Sequence, residues 1–241
     1  MNNVYREEKK YLLDLKQYYA LRHHIAKIMT RDKHSLNNPY AGKKGDGYTI
    51  RSLYFDSIDD RDFHEKEDGI ELRRKLRLRT YMHDPNVCLL ELKKKEGPYQ
   101  QKTSYKLTKE EGEQLIAGNY SLLLEKQHPF LLDCYQMMMT QVYRPKSIVT
   151  YERDAFIAKE NQIRVTFDQK IRGSESDFHL FDERLIETPL IDDSYVVLEV
   201  KYNGFLLQYI KDLLIPLESS QLSVSKYSMS RKISKDYQLE K

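Results

Sequence analysis

The chain has 241 residues, 40% of them hydrophobic and 32% charged, with a net charge of only +3. That length supports a sizeable core, the composition excludes a disordered chain, and no apolar run approaches the roughly 18 residues of a membrane-spanning helix. The small net charge speaks against a nucleic-acid binder, which usually carries a strong basic bias, and the polar start from Met1 to Lys10 lacks a signal-peptide core, so the expected location is the cytoplasm.

A strand is predicted over 6–13. A helix over 15–29 follows, capped by Asp14, with Leu15, Tyr18, Leu21, Ile25 and Ile28 at helical spacing. A strand over 48–56 leads to a helix that starts after Ser57 and ends near Gly69. Strands over 71–81, 87–95 and 101–107 come next. Thr108 and Glu111 form a capping-box pattern that opens a helix ending near Gly118. A further helix lies within 129–141, then strands over 148–157, 162–171 and 196–202, then a helix over 205–215 stopped by Pro216. The loops over 37–47 and 172–187 are the least patterned, and neither reads as a linker, so a single domain over 1–241 is expected. Eight strands with short helices between them predict an α+β fold built on an antiparallel barrel rather than a doubly wound sheet.

Successive side chains of a strand point to opposite faces. One face therefore groups Lys75, Arg77 and Arg79 against Leu76, Leu78 and Thr80, and another groups Glu91, Lys93 and Lys95 against Leu90 and Leu92. Arg164, Thr166 and Asp168 oppose Ile163, Val165 and Phe167; Glu199 and Lys201 oppose Val196, Leu198 and Val200. Glu8 shares a face with Lys10, and Lys102 shares one with Ser104 and Lys106. With Arg153 and Lys226 added, cations far outnumber Glu8, Glu91, Asp168 and Glu199 on the polar faces. For any one strand the plain reading is a sheet with one buried and one solvated face; a solvated face usually mixes both signs, and like charges opposed across strands are destabilising, so such a face persists if an anion neutralises it. Arg clamps phosphate oxygens in pairs and Lys acts as a point charge. That many cations suit a chain of phosphates, with Glu8, Glu91 and Glu199 either holding Mg²⁺ or Mn²⁺ or pairing with their basic neighbours.

The residues also resemble the triphosphate tunnel metalloenzyme (CYTH-like) superfamily, and within it the short bacterial form of the VTC (vacuolar transporter chaperone) domain, the polyphosphate polymerase family. "YREEKKYLL" is similar to the family's opening block and carries Glu8 and Lys10, with Arg6 where other superfamily members have a Glu. "IRSLYFDS" resembles the second strand, "KLRLRTY" brings Arg77 and Arg79, and "LLELKKK" brings Glu91 and Lys93. Lys102 or Lys106 follows the hairpin. "TYERDAF", "IRVTFDQKI" and "VVLEVKY" bring Arg153, then Arg164 with Asp168, then Glu199 and Lys201. "SVSKYSMS" resembles the closing block and supplies Lys226, with Ser223 where some relatives have another Lys.

The resemblance implies a closed tunnel of eight antiparallel strands and transfer of the terminal phosphate of ATP, or of another triphosphate, onto polyphosphate. It implies catalytic roles for Arg77, Arg79, Lys93, Arg153, Arg164 and Lys226. Phosphate contacts would come from Lys10, Lys75, Lys95, Lys102, Lys106 and Lys201, and Mn²⁺ or Mg²⁺ would sit on Glu199 with Glu8 and Glu91. A tunnel triphosphatase and a non-catalytic module that senses polyphosphate or inositol phosphates use the same lining. Any membrane partner lies outside this chain.

Other residues read as structural. Cys88 and Cys134 stand far apart without a CxxC motif and predict reduced, buried thiols. His23 and His24 cannot share one helix face and read as surface or packing residues. Met137, Met138 and Met139 read as gap fillers of a buried helix, the Tyr residues as packing, and Lys43 and Lys44 as solvated charge.

Overall fold

The computed structural model describes residues 6–36, 47–97, 99–221 and 225–233. Its strands are β1 (Arg6–Asp14), β2 (Thr30–Arg31), β3 (Tyr48–Asp56), β4 (Arg73–Tyr81), β5 (Asp84–Glu96), β6 (Tyr99–Thr108), β7 (Arg144–Ile157), β8 (Arg164–Ser174), β9 (Thr188–Pro189) and β10 (Tyr195–Asn203). Its helices are α1 (Leu15–Ile28), α2 (Lys33–Leu36), α3 (Arg61–Glu67), α4 (Lys109–Ile116), α5 (Leu122–Glu125), α6 (Pro129–Thr140), α7 (Gln208–Leu214) and α8 (Lys226–Ser230). The hydrogen-bonded order is β1-β10-β8-β7-β3-β4-β5-β6, with β2 beside β7 and β9 beside β8. The ladders β1–β10, β10–β8, β3–β4, β4–β5 and β5–β6 all run antiparallel. The eight long strands are the expected ones; β2 and β9 are two-residue additions. The strand order ends at β1 and β6, so backbone ladders do not close the sheet among the described residues.

Two compact units share the chain. The first comprises residues 1–49, 151–171 and 191–224, and the second residues 50–150, 172–190 and 225–241. In the first, Tyr11 and Leu13 of β1, Val165 and Phe167 of β8, and Leu198 and Val200 of β10 point to one side and bury against Tyr18, Leu21 and Ile25 of α1 and Ile210 and Leu214 of α7. Asp14 caps α1 with a full capping box, accepting from the Gln17 amide at 2.8 Å while Gln17 Oε1 accepts from the Asp14 amide at 3.0 Å. The helix after Gly204 is shorter than expected. α7 ends at Leu214, and Ile215–Ser220 continue as a 3₁₀ turn through Pro216 rather than stopping there, because proline suits the first position of a new turn.

In the second unit, Leu53 and Phe55 of β3, Leu76 and Leu78 of β4, Leu90 and Leu92 of β5 and Leu107 of β6 bury against α4, α5 and α6. Each such apolar side chain contributes about 1.5–3 kcal/mol when fully buried. α4 lies so close to β5 that a Cβ at Gly112 would fall 2.7 Å from Cys88 Sγ. Both cysteines are free and buried, and burial pushes each thiol up to about 12. Met137 and Met138 enter the core, but Met139 is 52% exposed, since three consecutive helical positions span too wide an arc to share one face. No helix among the described residues is long and apolar enough to cross a membrane.

Candidate functional site

The registers turn the sequence alternation into two distinct polar faces, one in each unit. In the second unit, β4, β5 and β6 align Lys75, Lys93 and Lys102 in one row and Arg77, Glu91 and Ser104 in the next. Arg79, Leu89 and Lys106 form a third row, and Arg73, Lys95 and Gln100 a fourth. The leucines between these positions go to the core, so the basic residues are held on one side by burial of the other. Lys102 and Lys106 share this face, and Lys102 is the one that reaches the carboxylate.

Glu91 is 2% exposed and is the only carboxylate in those four rows. Arg77 donates to its Oε2 from Nε at 2.8 Å, Arg79 Nε stands 3.5 Å from the same oxygen, and Lys102 Nζ lies 2.5 Å from Oε1. Burial alone would raise the Glu91 carboxyl; the charges of Arg77 and Lys102 more than offset this and hold it below the ordinary carboxylate range. Arg77 also donates to the Tyr54 hydroxyl at 3.1 Å.

Residues 225–230 of the closing block belong to this unit. Ser225 caps α8 by accepting from the Ser228 amide at 3.0 Å, and its hydroxyl also takes Lys75 Nζ at 3.0 Å. Lys226 opens α8. Tyr227 stacks on Tyr54 with ring centroids 4.9 Å apart and donates to Asp56 at 2.5 Å. Asp56 in turn accepts from the amides of Ser57, Asp62 and Phe63, so one buried carboxylate ties α8 to the start of α3. Burial, and then the neighbouring Asp56 charge, push the Tyr227 hydroxyl far above its ordinary range, so it stays a donor. Ser223, Lys43 and Lys44 lie outside the described residues.

The first unit carries the other face. Glu8 faces Lys201 across β1–β10, and Lys201 faces Arg164 across β10–β8. The next row is Lys10, Glu199 and Thr166. Here the charges alternate. Lys10 Nζ is 2.8 Å from Glu8, Lys201 Nζ is 3.7 Å from Glu8 and 2.7 Å from Glu199, and Arg153 Nη2 is 3.6 Å from Glu199. Arg153 spends its fork on Asp168, donating from Nε at 2.6 Å and Nη2 at 2.7 Å. Burial opposes the charge on Arg153, yet Asp168 raises it well above the ordinary value. Burial also opposes the Lys10 ammonium, and Glu199 and Glu8 more than compensate, so it too is raised. Gly47 allows the chain to pass beside this strand, since a Cβ there would sit 2.6 Å from the Arg153 carbonyl oxygen.

Arg164 is set by a residue that sequence reasoning missed. Its Nη2 donates at 2.7 Å to Asp32, which also accepts from the Tyr48 hydroxyl at 2.9 Å and the Ser35 amide at 3.0 Å. Burial would raise the Asp32 carboxyl, but these donors together hold it below its ordinary value. Asp32 sits between β2 and α2 in a stretch without periodicity; the one available cue was an acidic side chain three residues before Ser35.

Among the described residues no three His, Cys, Asp or Glu side chains gather as a metal-ligand group. The donor chemistry of the first unit still fits a hard cation: Glu8 and Glu199 lie diagonally across β1–β10 on one face, and Mg²⁺-type ions bind through one or two carboxylates when phosphate oxygens supply the rest. Glu91, in the other unit, is committed to three cations.

A family model described as the VTC domain matches residues 5–235. Comparison with curated proteins gives no match. Among solved structures, the chain is similar to a Hippeastrum protein provisionally assigned as an adenylyl cyclase and described as having a dominant triphosphatase activity. That match has 12% identity and a TM-score of 0.54, covering 94% of this chain and 95% of that one. It is also similar to a protein from Vibrio parahaemolyticus provisionally assigned as an adenylate cyclase, with 11% identity and a TM-score of 0.50, covering 95% and 98%. At such identities the likeness is one of fold.

Proposed function

The chain belongs to the VTC domain family, and on that footing we propose that it is a metal-dependent polyphosphate polymerase that holds its phosphate chain on a basic strand face. The observation that carries the reading is the face of β4, β5 and β6, where Lys75, Arg77, Arg79, Lys93, Lys95, Lys102 and Lys106 line up in rows whose one carboxylate is Glu91. From Arg73 to Arg79 these rows run about 20 Å along the strand at about 3.4 Å per residue. A single phosphate group satisfies one or two rows; four rows suit a chain of phosphates.

In the proposed reaction, a terminal oxygen of the acceptor chain attacks the γ-phosphorus of ATP, the bond to the β,γ-bridging oxygen breaks, and ADP leaves. Phosphoryl transfer depends mainly on positioning and charge neutralisation, and no side-chain nucleophile is needed. Arg77 and Arg79 grip phosphate oxygens, oriented by Glu91, and Lys75, Lys93, Lys95, Lys102, Lys106 and Lys226 extend the cradle. Arg164, steadied by Asp32, adds another guanidinium. Arg153 is a positioning residue that holds Asp168 and Glu199. Glu199 and Glu8 would hold Mn²⁺ or Mg²⁺, which when bound supplies charge to the non-bridging oxygens. Glu91 serves as the orienting partner of the basic row.

Purified protein incubated with ATP and Mn²⁺ is expected to yield ADP and long polyphosphate chains in matched phosphoryl equivalents, resolved by gel and by ³¹P spectra. Orthophosphate in place of chains would make the protein a tunnel triphosphatase. Tight tripolyphosphate binding without turnover under any divalent metal would make it a sensor.

A further inference from the structure

The carboxylates on the face of β1, β8 and β10 are held by cations of the same unit. Glu8 carries Lys10 and Lys201, Glu199 carries Lys201 and Arg153, and Asp168 carries both ends of the Arg153 fork. These cations are not equivalent. Arg153 is buried, with 8% of its side chain exposed, and is fixed by two short hydrogen bonds to Asp168. Lys10 and Lys201 are 23% and 29% exposed and hold their carboxylates through a single ammonium each. A lysine is a point charge on a flexible stem, with no planar fork to fix its direction.

A divalent ion arriving alone must displace those ammonium groups from Glu8 and Glu199. A polyphosphate offers the same ammonium groups another anion. We infer, resting on the phosphate reading above, that Lys10 and Lys201 act as charge latches over Glu8 and Glu199, and that a phosphate chain draws them off and thereby admits the metal. Each lysine has two partners in two states, a carboxylate before loading and a phosphate oxygen after it. Metal and phosphate then bind with positive coupling, and by linkage each raises the affinity for the other equally. The latch keeps the carboxylates satisfied in the empty protein, where two unpaired acids close together would repel. It also keeps the metal from settling before its substrate. Lys10 and Lys201 therefore act on the metal through Glu8 and Glu199 as positioning residues, besides touching phosphate.

Mn²⁺ alone, titrated into the full chain and read by loss of the free-ion electron paramagnetic resonance signal, tests the latch without turnover. Lys201→Met and Lys10→Met are expected to bind Mn²⁺ on the order of tenfold more tightly than wild type with no phosphate present, the scale of one charge-assisted contact removed. Adding Glu199→Gln to Lys201→Met is expected to abolish that gain, which assigns the gained metal to Glu199. Thermal melting checks each fold, and Lys201→Gln, with a neutral polar side chain, replaces the Met variant if that one does not fold. Folded lysine variants that bind Mn²⁺ no more tightly than wild type overturn the latch alone. The separate arm measures tripolyphosphate affinity in chelator-treated, metal-free buffer, where both lysine variants are expected to bind several-fold more weakly. Failure of the wild type to bind tripolyphosphate there overturns the phosphate reading, and the latch with it, since no anion would draw the lysines off.

Discussion

The two polar strand faces share one sequence pattern and differ in charge balance. On β4, β5 and β6, Glu91 stands alone among seven singled-out cations. In the first unit Lys10, Lys201, Arg153 and Arg164 are matched by Glu8, Glu199, Asp168 and Asp32. Within these rows the first arrangement is unbalanced, because like charges across strands repel, and the proposed polyanion would relieve it. The second is balanced within itself, and its carboxylates are the ones the proposed function gives to a metal. A net charge of +3 for the whole chain conceals both conditions, so the distribution of charge, rather than its sum, distinguishes the two faces.

Breaking the balanced face is expected to have the largest effect. Glu199→Gln removes a carboxylate assigned to the metal and leaves the cations of the other face in place. Turnover is expected to fall about 10²–10³-fold, the range for loss of one element of transition-state charge stabilisation, with tripolyphosphate binding retained. Steady-state rates beside calorimetric binding decide it; equal losses in both would show that Glu199 merely holds the fold.

Breaking the unbalanced face is expected to act first on stability. Glu91→Gln leaves Arg77, Arg79 and Lys102 facing one another around a buried position. A loss of about 3 kcal/mol is expected, as for a buried ion pair deprived of one partner. Tripolyphosphate should restore more stability to this variant than it adds to wild type, because ligand binding stabilises the folded state by mass action. Urea melts with and without tripolyphosphate measure this. If the anion adds equal stability to both proteins, the seven cations do not act as one anion site.

The difference between the faces was only partly legible in the sequence. Period-2 alternation placed Arg77, Arg79, Lys93, Lys102 and Lys106 on one face because the intervening leucines leave no other way to build a core. The capping residues Asp14 and Thr108 marked α1 and α4 because their side chains answer a local need of the first helical turn. Cross-strand partners were not legible, since register is a tertiary property. The sequence therefore left Glu91 open between metal ligand and orienting partner, and the register Arg77–Glu91–Ser104 is what surrounds it with cations. Arg153 looked like a phosphate clamp in sequence and is found bound to Asp168, fifteen residues away on β8. Asp32, Ser225 and Asp56 act through contacts 132, 150 and 171 residues distant in sequence, which no local pattern encodes.

The smallest expected effect tests whether the balanced face depends on Asp32. Its carboxyl is held below the ordinary value of 3.8 by the Ser35 amide, the Tyr48 hydroxyl and the Arg164 guanidinium, against the opposing effect of burial. The unfolded chain therefore binds more protons than the fold in the window below that value, and stability rises with pH across it. The contribution is complete above about pH 4 and is lost as pH falls through the lowered value. Asp32→Asn is expected to cost about 1 kcal/mol at pH 7, discounted because the Arg164 side chain is 34% exposed. The gap between wild type and variant should then close as acid protonates Asp32. Melts between pH 7 and pH 3 measure that gap. A gap unchanged down to pH 3 would mean that Asp32 contributes by shape and packing rather than charge, and Arg164 would then be held in place without an anionic partner.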